Sequence, residues 1–307
     1  MANLTFSNLT SATMRDEEKY IFSAVFISIT IILNTIACPF TIGLNLLVIM
    51  AIKRRPRLQS NSNIMLACLA VTDVLSGLTT QPSFILRQAF FLFGSDVADD
   101  FSAIHKLFMV VLSNSSALHL MMVVGEKAIA IKYSFRYPYI VTTRNIKIGV
   151  LFCWVYSISL GIVLQMMGGR SALYYLWVSH ILFVCVVFVS IAYMFLYFES
   201  RRHQKMIKAH QLSQEQVKTF LKESKAVKTT VFVVGAVGLC LLPAVVHLGF
   251  GASRFYQTRI HILDSMSAMS RTFLMINSLL NPLIYCWRQE GIRTFVFRTL
   301  QAAHFVY

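Results

Sequence analysis

Charged side chains are scarce in this chain. Asp, Glu, Lys and Arg make up 13% of its 307 residues, and hydrophobic residues make up 56%. Because soluble domains usually carry about 25% charged residues, water is not the main solvent of this protein. Apolar stretches of about 20 residues can cross a bilayer as helices. The sequence holds seven, at residues 21–52, 62–89, 103–132, 146–168, 174–199, 225–250 and 263–286.

These seven segments predict an all-α membrane protein, a seven-transmembrane helix bundle, and leave no room for a separate soluble domain. After the last segment the chain is typical of a short amphipathic helix lying on the membrane, with Ile292, Phe295 and Val296 toward lipid. We therefore expect an extracellular tail at 1–20, a seven-transmembrane domain at 21–286, and the amphipathic helix with a short cytoplasmic tail at 287–307.

Cysteine is absent from the predicted loops. We therefore expect no disulfide between loops, and the cysteine spacings fit no metal site. The sequence also lacks any nucleophile arrangement or phosphate-binding loop, so we expect no enzyme activity and no cofactor. The six cysteines are interpreted as small buried hydrophobes: Cys38, Cys68, Cys153, Cys185, Cys240 and Cys286.

The net charge of +15 is unevenly distributed. If the N-terminus is outside, most Lys and Arg residues fall on the inner side, as the positive-inside rule requires. This placement favours contact with anionic membrane lipid and argues against nucleic acid as a partner. Asn3 and Asn8 begin glycosylation sequons in the predicted outer tail. We expect a multi-pass plasma-membrane protein with its C-terminus in the cytoplasm.

The most unusual apolar segment is the seventh, which contains the run Asn277-Ser-Leu-Leu-Asn281-Pro-Leu-Ile-Tyr285. A carboxylate in the second segment, Asp73, is equally out of place in lipid. An ionisable residue at mid-membrane costs at least about 3 kcal/mol on insertion scales, so Asp73 should have polar partners. The available ones are Asn45, Ser116, Asn277, Ser278 and Asn281.

Two helix faces carry polar groups that lipid would reject, so both should look inward. One, on the third segment, joins Lys106, Met109, Ser113, Ser116 and Leu120, and the other, on the seventh, joins Arg271, Met275, Ser278, Pro282 and Tyr285.

Together these features resemble the rhodopsin-like (class A) G-protein-coupled receptors, over residues 25 to 300. The motifs that carry the resemblance fall in the family's order and segments. They are Asn45, Leu69-Ala70-x-x-Asp73, Trp154, Pro243 and Asn281-Pro282-x-x-Tyr285.

The resemblance implies two devices inside the bundle. One is a pocket for an allosteric sodium ion, since a hard cation is suited to a carboxylate and neutral oxygens; the alternative is a hydrogen-bonded Asp73 without an ion. Its residues would be Asp73, Ser116, Asn277, Ser278 and Asn281. The other is an activation switch that includes Asn45, Tyr193, Pro282 and Tyr285.

The chain departs from the family pattern at several switch positions. Lys127, which follows Glu126, stands where the family has arginine. Lys127 can pair with Glu126 or Glu223, or Lys127 and Glu126 can both simply face water. Leu241 replaces the usual aromatic residue before Pro243. A missing loop disulfide and a short outer loop are similar to melanocortin receptors, and in part to cannabinoid, lysophospholipid and adenosine receptors.

The ligand position also differs. Met109 stands where amine receptors carry an aspartate, and Met275 stands where opsins carry lysine, so we expect neither an amine ligand nor retinal. Lys and Arg side chains in the predicted outer half favour an acidic small molecule, lipid or peptide as the ligand. The alternative is that these side chains snorkel to the membrane interface. The ligand-binding candidates are Arg87, Lys106, Met109, His247, Arg271 and Met275.

We therefore expect a receptor that transmits an extracellular ligand signal to a heterotrimeric G protein by helix rearrangement. A first alternative is a non-signalling or constitutively active protein with the receptor fold, such as a decoy or partner subunit. A second is a transporter, although no internal repeat supports it.

Overall fold

The computed structural model describes residues 2–95, 97–133, 135–167, 183–188, 190–192, 194–195, 197–198, 201–202 and 260–304. These residues form helices joined by short turns, with no strand among them. The helices are α1 (Ala2–Arg54), α2 (Asn61–Leu75), α3 (Gln81–Leu92), α4 (Val97–Lys132), α5 (Tyr137–Ile140), α6 (Thr143–Met166), α7 (Ile260–Arg288) and α8 (Glu290–His304).

The predicted membrane segments match these helices closely. Four described spans are long and apolar enough to cross a membrane: Ile21–Arg54, Asn61–Leu92, Phe101–Ala130 and Thr143–Met166. Helix α7 covers the seventh predicted segment, and a shorter apolar helical stretch, Phe183–Ala192, lies in the fifth. The sixth predicted segment lies outside the described residues. Residues 2–20 of the predicted extracellular tail form the first part of α1, which begins at Ala2.

Short polar residues define where several helices begin. The Ser60 side chain caps α2 by accepting a hydrogen bond from the Asn63 backbone nitrogen, and Thr142 caps α6 in the same way at Asn145. Between α2 and α3 the chain does not break. A π-helical turn at Ser76–Thr80 joins them into one span.

Close helix packing depends on glycine at one crossing. A Cβ atom built on Gly161 of α6 would lie 2.5 Å from Val111 Cγ2 of α4, too close for any real contact. The absence of a side chain at Gly161 therefore lets α6 approach α4. The central apolar core is formed by residues of α1, α2, α4, α6, α7 and α8, with Val48, Leu69, Val124, Tyr285 and Ile292 among its buried members.

The prediction for α8 was wrong about its lipid face. Ile292, Phe295 and Val296 are buried against the bundle, since α8 folds back over the end of α1 and its following turn. The large apolar side chains that α8 exposes are Phe297 and Leu300. The sequence pattern shows that the helix has an apolar face, but the protein itself covers that face.

Candidate functional site

The carboxylate of Asp73 is fully buried at the centre of the bundle. Its Oδ2 accepts a hydrogen bond of 2.9 Å from Asn281 Nδ2 of α7, and its Oδ1 accepts one of 3.4 Å from Ser116 Oγ of α4. The Ser278 side chain lies close to the same carboxylate and lines the adjoining cavity. Helices α2, α4 and α7 therefore meet at a single anionic group.

Next to this group, Pro282 changes the hydrogen bonding of α7. Proline has no backbone N–H, so it cannot donate to the carbonyl four residues earlier, which belongs to Ser278. Asn45 of α1 supplies the missing donor. Its Nδ2 lies 3.0 Å from the backbone carbonyl oxygen of Ser278 and 2.9 Å from that of Thr41. The side chain of Asn45 thus joins α1 to α7 one turn before Pro282.

Two amide oxygens beside Asp73 have no hydrogen-bond donor among the described residues, namely Asn277 Oδ1 and Asn281 Oδ1. Buried acceptors of this kind are costly unless water or a cation satisfies them. With the Asp73 carboxylate and the Ser116 and Ser278 hydroxyls, they form the oxygen donor set that a sodium ion needs. These residues fit the expected sodium pocket, which stays a prediction.

A small cavity lies beside this cluster. Its polar lining includes Ser113, Ser116 and Asn277, and Met275 and Cys185 contribute apolar surface. The cavity gives the Asp73 cluster room for ordered water or an ion. It also shows that the polar faces predicted on α4 and α7 meet inside the bundle.

At one end of the bundle, which we call the basic end, Lys127 and Glu126 form an ion pair of 2.8 Å. Lys127 Nζ also donates to Ser62 Oγ of α2 at 2.5 Å, and Ser62 Oγ donates to Glu126 Oε2 at 3.2 Å. The side chains do not simply face water, because Glu126 is 4% exposed and Lys127 20%. Glu223, the other predicted partner, lies outside the described residues.

Tyr137 of α5 completes this cluster. Its hydroxyl donates to Glu126 Oε1 at 2.6 Å. Burial, followed by the hydrogen bond to Glu126, raises the pKa of Tyr137 well above its ordinary value. The phenol is therefore a protonated donor at neutral pH, and Glu126 is held from both sides.

The opposite end, which we call the Arg271 end, holds a second small cavity between α1, α3 and α7. Arg87 and Arg271 both line it, with Gln88, Ile27 and Phe91. Arg87 donates a 2.7 Å hydrogen bond to Gln88, and Arg271 bonds to the Ser267 hydroxyl on its own helix. The structure thus brings together two of the cations predicted to bind ligand.

Met275 lines the cavity beside Asp73 and does not line this second cavity. It is 2% exposed and packs with Phe84 and Ala268. Lys106 and Met109 are half-buried on α4. Five predicted residues lie outside the described part of the chain: Tyr193, Glu223, Leu241, Pro243 and His247.

Comparison with known proteins decides the family. The pattern of the family described as "7 transmembrane receptor (rhodopsin family)" matches residues 44–285. The chain belongs to this family. The match covers the described site at Asn45, Asp73, Lys127, Asn281 and Tyr285, and it confirms the seven-helix membrane fold.

Individual relatives are distant but cover most of this receptor. It is 25% identical to the rat (Rattus norvegicus) histamine H2 receptor over 88% of its own length and 78% of that protein. It is 24% identical to the guinea-pig (Cavia porcellus) adenosine A2a receptor over 92% of its length and 74% of that protein. Similarity to adenosine receptors agrees with one of the branches that the sequence resembled, whereas histamine receptors were not expected.

Several residues that shape the receptor's site were not singled out from the sequence. Ser62 and Tyr137 belong to the Lys127 cluster, and Asn34 of α1 donates a 3.0 Å hydrogen bond to Thr272 of α7. His105 is 1% exposed and hydrogen-bonds Ser83 at 3.1 Å. An available signal was the recurrence of buried polar residues at helical spacing on α1, at Thr30, Asn34, Thr41 and Asn45.

The bond between Asn45 and the Ser278 carbonyl generates a specific prediction. Asn45→Ala should lower the free energy of unfolding by about 1–3 kcal/mol, because it leaves a buried carbonyl without a donor. In a Pro282→Ala background the same substitution should cost less, because an alanine at this position can donate its own N–H to the Ser278 carbonyl. The stabilities of the natural receptor, the two single variants and the double variant are measured by thermal unfolding of the purified proteins. Equal costs in the two backgrounds would refute this account of Asn45.

Proposed function

We propose that this receptor detects a ligand with an acidic group at the Arg271 end and signals to a G protein at the basic end. The family establishes G-protein-coupled signalling and a plasma-membrane location. The parts proposed are the ligand class, the orientation in the membrane and a contact that holds the inactive state, which we call the resting latch. The latch is carried by one observation, the Lys127 cluster described above.

The Lys127 cluster supports a resting latch within the described bundle. Lysine is a compact point charge, whereas arginine has a planar fork that can bind a carboxylate with two parallel hydrogen bonds. Lys127 uses its donors on Glu126 and Ser62, which ties α4 to α2. Release of this cluster would free the basic end for a G protein.

A substitution at Lys127 tests signalling against the decoy alternative. Lys127→Arg should change basal second-messenger levels in cells at equal surface expression, because the fork of arginine alters the contacts with Glu126 and Ser62. Lys147→Arg is the matched control, since Lys147 is exposed at the start of α6. The natural receptor should signal above untransfected cells. A silent natural receptor with an active Lys127→Arg variant would favour the decoy function.

The proposed orientation puts the N-terminus outside and the basic end in the cytoplasm. Its support is the excess of Lys and Arg at the basic end, as the positive-inside rule describes. The sequons at Asn3 and Asn8 should then carry glycans. Glycosidase treatment should increase the gel mobility of the natural receptor and leave Asn3→Gln/Asn8→Gln unchanged. A mobility that no glycosidase alters in the natural receptor would count against this orientation.

An acidic ligand group is supported by the cavity that Arg87 and Arg271 share. Two guanidinium groups lining one cavity suit a carboxylate or phosphate, which each can bind with paired hydrogen bonds. Met109 offers no charge to an ammonium group, so similarity to histamine receptors does not extend to an amine here. Ile27 and Phe91 add a small apolar part to a lining that is mostly polar.

The ligand proposal is tested with a panel of carboxylate and phosphate amphiphiles beside amines, read as second-messenger responses. Arg271→Ala should reduce the potency of an active acid about 10- to 100-fold, because it removes a charge-assisted hydrogen bond. Arg271→Lys should retain part of the potency, since it keeps the charge. Unchanged potency in Arg271→Ala would rule out this site for the acid.

A further inference from the structure

A group of exposed cations at the basic end has no role in the site described above. It lies where α1 ends and α8 folds back, and we call it the basic corner. Segments 53–57 and 290–304 contribute to it, and Glu290 is their one acidic residue. Its six exposed cations are Lys53, Arg54, Arg55, Arg57, Arg293 and Arg298.

The basic corner is structurally fixed. The Arg55 guanidinium lies over the Phe295 ring, 5.8 Å from its centroid. Leu58 packs so tightly on Gly291 that a Cβ atom there would lie 2.8 Å from Leu58 Cδ2. Gln289 also bonds Asn63 at 3.1 Å. The cations of the turn after α1 and those of α8 are therefore presented side by side.

These cations have no acidic partner among the described residues. Within the described part of the chain, no carboxylate pairs with Lys53, Arg54, Arg57, Arg293 or Arg298. Exposed like charges held together repel one another, so the corner attracts anions. A partner with several negative charges in a small volume would satisfy it best.

The position of the corner indicates that this partner is a lipid. The apolar span of α1 ends at Arg54, which places the following cations at headgroup depth. On α8, the spacing of Arg293, Phe297 and Leu300 puts a cation and two exposed apolar side chains on one face. Trp287, 61% exposed, adds a residue type that favours the membrane interface.

We propose that the basic corner binds the headgroup of a polyphosphoinositide, an inositol lipid with two or more phosphates, in the leaflet that faces α8. A lipid with one net negative charge would neutralise one of six cations, whereas several phosphates engage Arg54, Arg57 and Arg293 together. The cytoplasmic location of this leaflet rests on the proposed orientation. The binding itself does not depend on it.

The test uses the purified full-length receptor in detergent micelles, so that binding is measured without regard to orientation or signalling. The probe is phosphatidylinositol 4,5-bisphosphate with a fluorescent acyl chain, followed by anisotropy. Arg54→Gln/Arg57→Gln/Arg293→Gln should weaken binding on the order of 100-fold, from the usual contribution of each cation near a charged surface. Binding should also weaken as salt is raised.

A matched variant removes the same charge elsewhere at the basic end. Arg136→Gln/Arg144→Gln/Lys147→Gln changes three exposed cations around α5 and α6. It should weaken binding less than about 3-fold, since these residues lie outside the corner. Equal losses in the two triple variants would show general charge attraction and overturn the proposal.

Further arms separate a lipid from other anionic partners. Phe297→Ser/Leu300→Ser should weaken lipid binding, whereas soluble inositol trisphosphate should compete poorly with the lipid. Competition equal to that of the lipid would overturn the proposal in favour of a soluble anion. The proposal would also fail if the corner variant kept lipid binding but lost G-protein activation in phosphatidylcholine alone, which would indicate a protein partner.

Folding is checked by the thermal unfolding temperature of each variant. If the corner variant does not fold, Arg57→Gln and Arg293→Gln are measured singly. Each should weaken lipid binding about 5-fold, and unchanged binding in both would overturn the proposal.

Discussion

The hydrogen bond from Asn45 to the Ser278 carbonyl is the interaction on which the centre of this receptor depends. Pro282 removes the backbone donor that would normally bind that carbonyl, so another group has to satisfy it inside a membrane. Asn45 does so at 3.0 Å. As a result, this contact links α1 to α7 close to Asn281, which donates to Asp73.

The two ends of the bundle solve the problem of buried charge in different ways. At the basic end, Glu126 and Lys127 neutralise each other, and Ser62 and Tyr137 take up further hydrogen-bonding capacity. At the Arg271 end, two cations share a cavity whose lining contains no carboxylate among the described residues. One end is therefore closed by contacts among its own side chains, whereas at the other end two guanidinium groups line a cavity.

The fold was largely predictable from the sequence because membrane helices must satisfy their own backbone groups, so apolar length alone locates them. The Asp73 cluster was predictable for a related reason, since a carboxylate in lipid requires partners and few were available. The Lys127 cluster was only partly predictable. Tyr137 comes from a four-residue helix that has no apolar periodicity, and nothing in its local sequence shows that it reaches Glu126.

The error at α8 has a similar physical cause. Amphipathicity shows that a helix has an apolar side, but it does not distinguish lipid from protein as the surface that covers it. Ile292 and Val296 face the bundle because Leu58 and the end of α1 provide a complementary surface next to Gly291. Such a choice depends on tertiary packing between distant parts of the chain.

The π-helical turn at Ser76–Thr80 changes the direction in which side chains point along one membrane span. An α-helix advances about 100° per residue, so a turn with one extra residue rotates everything beyond it by that angle. Asp73 lies before the turn, and Arg87 and Gln88 lie after it. A deletion of one residue in this turn would therefore direct a different face of α3 at the Arg271 end while Asp73 kept its partners. A change in the length of this turn would therefore alter which residues line the Arg271 end independently of the Asp73 cluster.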